Sequence, residues 1–133
     1  MIAALADTHA VFWYLAADPS LSGIAHASIE DVIARGDQIG VSTITLIEST
    51  YLVEKGRLSH YSLNQLLEAL AQSDGFLREV AVDGSVARVL GQVPRSQVPD
   101  LPDRIIAATA VLLNVPIISR DRRIVSSGLK TIW

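Results

Sequence analysis

The fold turns on Ile105-Ile106-Ala107-Ala108-Thr109-Ala110-Val111-Leu112-Leu113-Asn114-Val115-Pro116-Ile117-Ile118-Ser119, fifteen residues without a charge. Ile105 to Asn114 is almost entirely apolar, which predicts a helix buried between a sheet and other helices. Pro116 to Ser119 then reads as a short buried strand. The run is too short, and too interrupted by Asn114 and Pro116, to cross a bilayer, which takes about 20 apolar residues.

The same alternation of short apolar strands and helical periods extends outward on both sides. Ile2 to Ala6 reads as a buried strand and Thr8 to Ala16 as a helix closed by Asp18-Pro19. Ser22 to Arg35 is a second helix, with Gly36 as a left-handed cap. Gln38 to Ser42 is a strand, followed by a helix from Ile44 to Lys55 with its own terminal Gly56. Ser62-Leu-Asn-Gln65 carries a capping-box signature for a helix to about Ser73. Phe76 to Val82 reads as a strand, Asp83 caps a helix to about Gln92, Pro94 to Pro102 is a loop, and Lys130 to Trp133 is an edge strand. Strands alternating with helices predict an α/β fold, a single domain over residues 1–133, with a mainly parallel central sheet of four to five strands flanked by helices.

The chain has 133 residues, half of them hydrophobic, enough for a sizeable core and too apolar for disorder. It contains no cysteine, which excludes disulfides, thiolate catalysis and Cys-type metal sites. Met1 to Ala6 lacks a basic region and Asp7 ends the apolar stretch too early for a secretory leader, so a cytoplasmic location is expected. The formal charge of −3 comes from 14 acids against 11 Lys and Arg. Global charge does not decide the partner: if four of the acids belong to one metal site, the remainder of the chain carries a slight positive charge.

Those four are Asp7, Glu48, Asp103 and Asp121. Asp7 directly follows the first strand, Asp121 follows the late one, and Asp103 stands at the entry of the buried helix. Glu48 shares a helix face with Ile44, Thr45, Tyr51 and Leu52, where an isolated ionised carboxylate is costly and must be paired, protonated or bound to a cation. Each has an ordinary reading as well. Asp7 can cap the helix that follows it, Asp100-Leu-Pro-Asp103 is a standard helix start, Thr45-Leu-Ile-Glu48 fits a capping box, and Asp121 can be a turn residue. Taken together, they would be gathered by a parallel sheet beyond the carboxyl ends of its strands. Carboxylates so crowded repel one another unless a cation intervenes, and an oxygen-only donor set favours Mg²⁺ or Mn²⁺ over zinc. A metal-held water beside a metal-stabilised phosphate is a route to phosphodiester hydrolysis.

At these residues the sequence resembles the PIN domain family, specifically the VapC-like toxins of bacterial toxin–antitoxin pairs. The resemblance is carried by Leu5-Ala6-Asp7-Thr8-His9-Ala10, by Ser42-Thr43-Ile44-Thr45-Leu46-Ile47-Glu48, by Asp100-Leu101-Pro102-Asp103-Arg104-Ile105-Ile106-Ala107-Ala108-Thr109-Ala110 and by Ser119-Arg120-Asp121; the final Trp133 is common in one VapC-like branch. It implies a Mg²⁺- or Mn²⁺-dependent endoribonuclease that prefers single strands. The acids matching Asp7, Glu48, Asp103 and Asp121 would hold the metal, with a hydroxyl matching Thr8 or Ser119 assisting. Asp100 would be an additional ligand or would steady one. It also implies a homodimer silenced by a small VapB-like antitoxin whose carboxyl-terminal segment enters the groove; the apolar runs, too short to span a bilayer, point to no membrane partner.

Arg104, Arg120 and Arg122, with Arg123, lie beside the four acids and can hold RNA phosphates or an antitoxin carboxylate; solvated surface charge is the plainer reading. Phe12-Trp13-Tyr14 is read chiefly as core packing or a dimer seam, with base stacking as the alternative. Of the three histidines only His9 falls near the acids. Two other classes compete. A non-catalytic interaction module would use the acids for capping alone. A phospho-acceptor receiver domain would need paired acids after the first strand and a late lysine, where this chain has only Asp7 and Arg120.

Overall fold

The computed structural model describes all residues, Met1–Trp133. Twelve elements follow one another: β1 (Ile2–Ala6), α1 (Thr8–Leu15), α2 (Gly23–Ala34), β2 (Gln38–Ser42), α3 (Thr43–Glu54), α4 (His60–Ala71), β3 (Leu77–Val80), α5 (Gly84–Leu90), α6 (Leu101–Leu113), β4 (Ile117–Ile118), α7 (Arg122–Ser126) and β5 (Thr131–Ile132). The sheet is five-stranded in the order β3-β2-β1-β4-β5, and every pairing is parallel. A receiver-type doubly wound sheet runs in the order 2-1-3-4-5, so the receiver alternative falls on topology.

Period-two alternation sends the strand side chains into two separate cores. Ala4, Ala6, Ile39, Val41 and Ile118 pack on one face under α1, α2 and α4. Leu5 and Ile117 point the other way and pack against α5, α6 and α7. The uncharged run does what its composition requires: Ile106, Ala107, Ala108, Thr109 and Ala110 are all buried. At Gly40 in β2 a Cβ would stand 2.9 Å from Leu5 Cδ1, 3.1 Å from Ile2 Cγ2 and 3.2 Å from Val80 Cγ2, so only glycine lets those side chains lie across the strand. Gly36 and Gly56 take φ of 77° and 71°, the left-handed conformation that ends α2 and α3.

The differences from the sequence reading lie mostly at element ends. The fourth helix is capped by Ser59, whose hydroxyl accepts from the Ser62 amide, so the helix begins three residues before the Ser62 box. The loop from Pro94 gives way to α6 already at Leu101, because Asp100 caps it and Pro102 fits its first turn. The strand expected from Phe76 to Val82 is confined to Leu77–Val80. The short α7 is absent from the sequence reading; it forms where Asp121 accepts from the amides of Arg123 and Ile124. No helix is long and apolar enough to cross a membrane.

Candidate metal centre and adjoining cavity

The chain leaves β1, builds the sheet outward through β2 and β3, and returns to place β4 on the other side of β1. That reversal is a topological switch point, where crevices open beyond the carboxyl ends of the strands. Ala6 pairs with Val41 on one side and with Ile118 on the other. The next residues, Asp7, Ser42 and Ser119, therefore emerge side by side. The Asp7 amide donates to the Ile118 carbonyl at 3.1 Å, which locks that edge.

A crevice of about 240 Å³ opens there, lined by Asp7, Thr8, Glu48, Asp100, Asp103 and Asp121, with His9 at its side. Every lining residue is polar. The four acids singled out in the sequence thus face one space, brought there by the end of β1, the second turn of α3, the first turn of α6 and the start of α7.

Asp7 is only 7% exposed and does two things at once. Its Oδ1 accepts from the Ala10 amide at 2.8 Å and caps α1, while its carboxylate faces the crevice. Burial pushes its carboxyl above the usual range, with the Ser119 hydroxyl, the Ala10 amide and His9 pulling it back. Asp121 likewise spends Oδ1 on capping α7. The Asp121 amide in turn donates to Ser119 Oγ at 3.0 Å.

Glu48 is half-buried, and its surroundings differ from the apolar face expected of it. Tyr51 is 61% exposed, whereas Thr45 and Ser49 are buried and Thr8 lies opposite. The helix start is at Ser42, whose hydroxyl accepts from the Ile44 amide, so no capping box forms between Thr45 and Glu48. Instead Thr8 Oγ1 donates to Glu48 Oε1 at 2.7 Å and lies 3.0 Å from Thr45 Oγ1. A hydroxyl has one proton, so Thr45 must be the donor in the second contact. The relay Thr45 to Thr8 to Glu48 fixes one carboxylate oxygen and leaves Oε2 outside any protein hydrogen bond.

Asp103 makes no side-chain hydrogen bond within the protein; its amide donates to Asp100 Oδ2 at 3.2 Å. Its carboxyl is pushed up to about 7 by burial first, then by the negative charges of Asp100, Asp121, Glu48 and Asp7. Burial disfavours the ionised form most, and the neighbouring carboxylates add to that cost. No three of the acidic or histidine side chains by themselves enclose an ion. The donor set is nevertheless all oxygen, with Glu48 Oε2, Asp121 Oδ2 and the whole Asp103 carboxylate outside protein hydrogen bonds. It fits a hard divalent cation that keeps part of its water shell, as Mg²⁺ does.

A second cavity of about 500 Å³ adjoins the crevice and shares Asp7, His9 and Asp121 with it; its other walls are Trp13, Arg120 and Arg122. The Arg120 guanidinium lies over the Trp13 indole, 4.5 Å from the ring centroid. His9 and Trp133 flank that indole at 5.4 and 5.9 Å. Arg104 is turned away to another task, its Nε donating to the Val93 carbonyl at 2.8 Å. Sequence reasoning missed the roles of Thr45 and of the Trp13–Arg120 pair. Thr45 sits one turn before Glu48 and was legible on helical spacing, but nothing in the sequence joins Trp13 to Arg120.

Residues 4–127 match the family model of the PIN domain. The chain is 31% identical over 124 residues to Ribonuclease VapC22 of Mycobacterium tuberculosis, covering 93% of this chain and 91% of that protein. Its fold is similar to that in VapBC2 from Rickettsia felis bound to a DNA fragment from their promoter, with a TM-score of 0.71 at 17% identity, over 98% of this chain and 97% of that one. FitAcB from Neisseria gonorrhoeae is similar over 96% of this chain and 95% of its own, with a TM-score of 0.65 at 24% identity.

Proposed function

Because the chain belongs to the PIN domain family, we propose that it is a Mg²⁺- or Mn²⁺-dependent endoribonuclease, the toxin of a toxin–antitoxin pair. The observation that carries this reading is the convergence of Asp7, Glu48, Asp103 and Asp121 on one polar crevice at the switch point of the sheet. The likeness to a protein named a ribonuclease supports RNA as the substrate class. The likeness to VapBC assemblies supports a VapB-like antitoxin as partner, and the expected homodimer belongs to the same proposal.

The residues divide the work by their surroundings. Asp7, Glu48, Asp103 and Asp121 would hold the cation. When bound, it supplies a water of lowered pKa and neutralises charge on the phosphate. Thr8 orients Glu48, and the Thr45 hydroxyl orients Thr8. Ser119 steadies the turn that carries Asp121. Asp103, whose carboxylate makes no hydrogen bond within the protein, has both oxygens free for the cation. Arg120 and Arg122 offer forked donors to the phosphates of the strand.

An interaction module that uses its acids only as caps is a weaker account. Capping explains Asp7 and Asp121, but not Glu48, whose carboxylate caps nothing, nor the crowding around Asp103. The deciding experiment is cleavage of total RNA by the purified chain with Mg²⁺ or Mn²⁺, against the Asp7→Asn and Glu48→Gln variants. Cleavage that needs the metal and both acids supports the nuclease. Full cleavage by the folded variants removes the proposal.

A further inference from the structure

The cavity beside the crevice is built differently from the acids it adjoins. It has an anionic edge, Asp7 and Asp121, and a cationic one, Arg120 and Arg122, with an aromatic wall at Trp13. Arg120 is exposed, and its guanidinium carbon lies 4.5 Å from the Trp13 ring centroid, both side chains forming the wall of the cavity. Trp13 is itself half-buried and packed against the core under α1, and Trp133 backs it. The guanidinium thus rests on a fixed support. Cation–π contact of this kind restrains a long side chain that would otherwise sample many rotamers.

We propose that this cavity is a stacking subsite for one unpaired nucleotide of the RNA strand, in which the base lies on the Arg120 guanidinium supported by Trp13, and Arg120 and Arg122 hold the flanking phosphate. The position of this nucleotide next to the scissile bond rests on the nuclease reading above. Three features select RNA over an acidic peptide. A carboxylate needs only the arginines and makes no use of a planar support, whereas bases stack on aromatic rings and on guanidinium planes alike. The cavity's volume of about 500 Å³ accommodates a planar ring system with its phosphate. It also opens directly into the acids through Asp7 and Asp121, so a strand crossing both presents successive groups to each. Because a paired base cannot leave its stack without cost, the subsite makes the enzyme discriminate against duplex RNA. Trp13 is a positioning residue, acting through Arg120.

The test is an abasic scan. A single-stranded oligoribonucleotide selected for binding to the full chain is prepared as a series, each member lacking one base, and binding is measured in EDTA alongside cleavage in Mn²⁺. The expected result is one position near the scissile bond at which loss of the base weakens binding about 5- to 100-fold, the range of a single stacked base. Arg120→Ala and Trp13→Leu should raise KM by a similar factor with kcat little changed and lose sensitivity to that abasic position, while Trp13→Phe restores most of it. Arg120 is exposed, so its variant reports even if Trp13→Leu fails to fold. A flat scan, undiminished abasic sensitivity in Arg120→Ala, or equal affinity for duplex overturns the subsite. So does competition by an acidic peptide with no base dependence. If the chain binds at one base-sensitive position but cleaves no RNA, the nuclease reading fails while the subsite stands.

Discussion

Thr8 holds Glu48 to the end of the first strand: its hydroxyl donates to Glu48 Oε1 at 2.7 Å across forty positions of sequence. Two elements that never touch in the chain are joined by a single proton, and a third residue, Thr45, completes the relay. Replacing Thr8 by Val removes the donor, keeps the shape and leaves the buried Thr45 hydroxyl without its acceptor. We expect a loss of about 1–3 kcal/mol of stability and a roughly 10- to 100-fold fall in cleavage, the usual cost of freeing a metal-binding carboxylate. Thr8→Ser should recover both. Urea unfolding and initial cleavage rates measure the two effects; a Val variant of full activity would show that Glu48 needs no such support.

Asp7→Asn separates capping from chemistry. Asn caps helices as well as Asp, so the Ala10 amide keeps its partner and thermal stability should hold or rise, since a neutral side chain relieves the burial cost at this position. Cleavage should fall about 100- to 1000-fold, comparable with loss of one electrostatic contact to a transition state. A folded Asp7→Asn that cleaves normally would reduce the acid to a cap.

The Asp103 carboxyl, raised from 3.8 to about 7, sets a pH dependence whose sign follows from linkage. The folded chain holds this proton to higher pH than the unfolded chain does, so the group's favourable contribution is full below about 4 and is lost as pH climbs to about 7. In metal-free buffer the melting temperature of Asp103→Asn minus that of the wild type should be near zero at acid pH. It should grow steadily as pH rises through about 7 and level off above it. Differential scanning calorimetry across this range checks it; a difference that shrinks with rising pH would contradict the crowding.

Divalent cations should reverse that penalty. Mn²⁺ or Mg²⁺ at 100 times its dissociation constant would stabilise the wild type by about 2.7 kcal/mol, and Glu48→Gln or Asp103→Asn should lose most of this. EDTA should stop cleavage. Calorimetric titration that shows no Mn²⁺ uptake by the wild type would remove the metal from the mechanism.

Away from the crevice, Gly40→Ala should cost about 1–3 kcal/mol, because its Cβ would meet Leu5 and Val80 inside close-packed walls. Chemical denaturation reads it directly. An unchanged midpoint would mean that the sheet shifts to make room.

Much of this molecule is written locally. The strands at Ile2–Ala6 and Gln38–Ser42 and the buried helix after Asp103 follow from runs of apolar residues, because a chain can satisfy such runs only by burying them. Helix starts were harder to read. At Ser59, Ser42 and Asp121 several hydroxyls and carboxylates compete to accept the same free amides, and the winner depends on where the chain enters the helix.

The sequence by itself determined an α/β chain with a parallel sheet and supplied its acids with positions at strand and helix ends, since periodicity and the chemistry of carboxylates are properties of residues and near neighbours. Tertiary structure alone decided that the strand order reverses at β1, which sets Asp7 beside Ser119 and turns four scattered acids toward one crevice. It also decided that Glu48 answers to Thr8 instead of to an apolar face, and that Arg120 rests on Trp13. Contacts of that kind depend on strand order and crossover packing, which no local window of sequence contains.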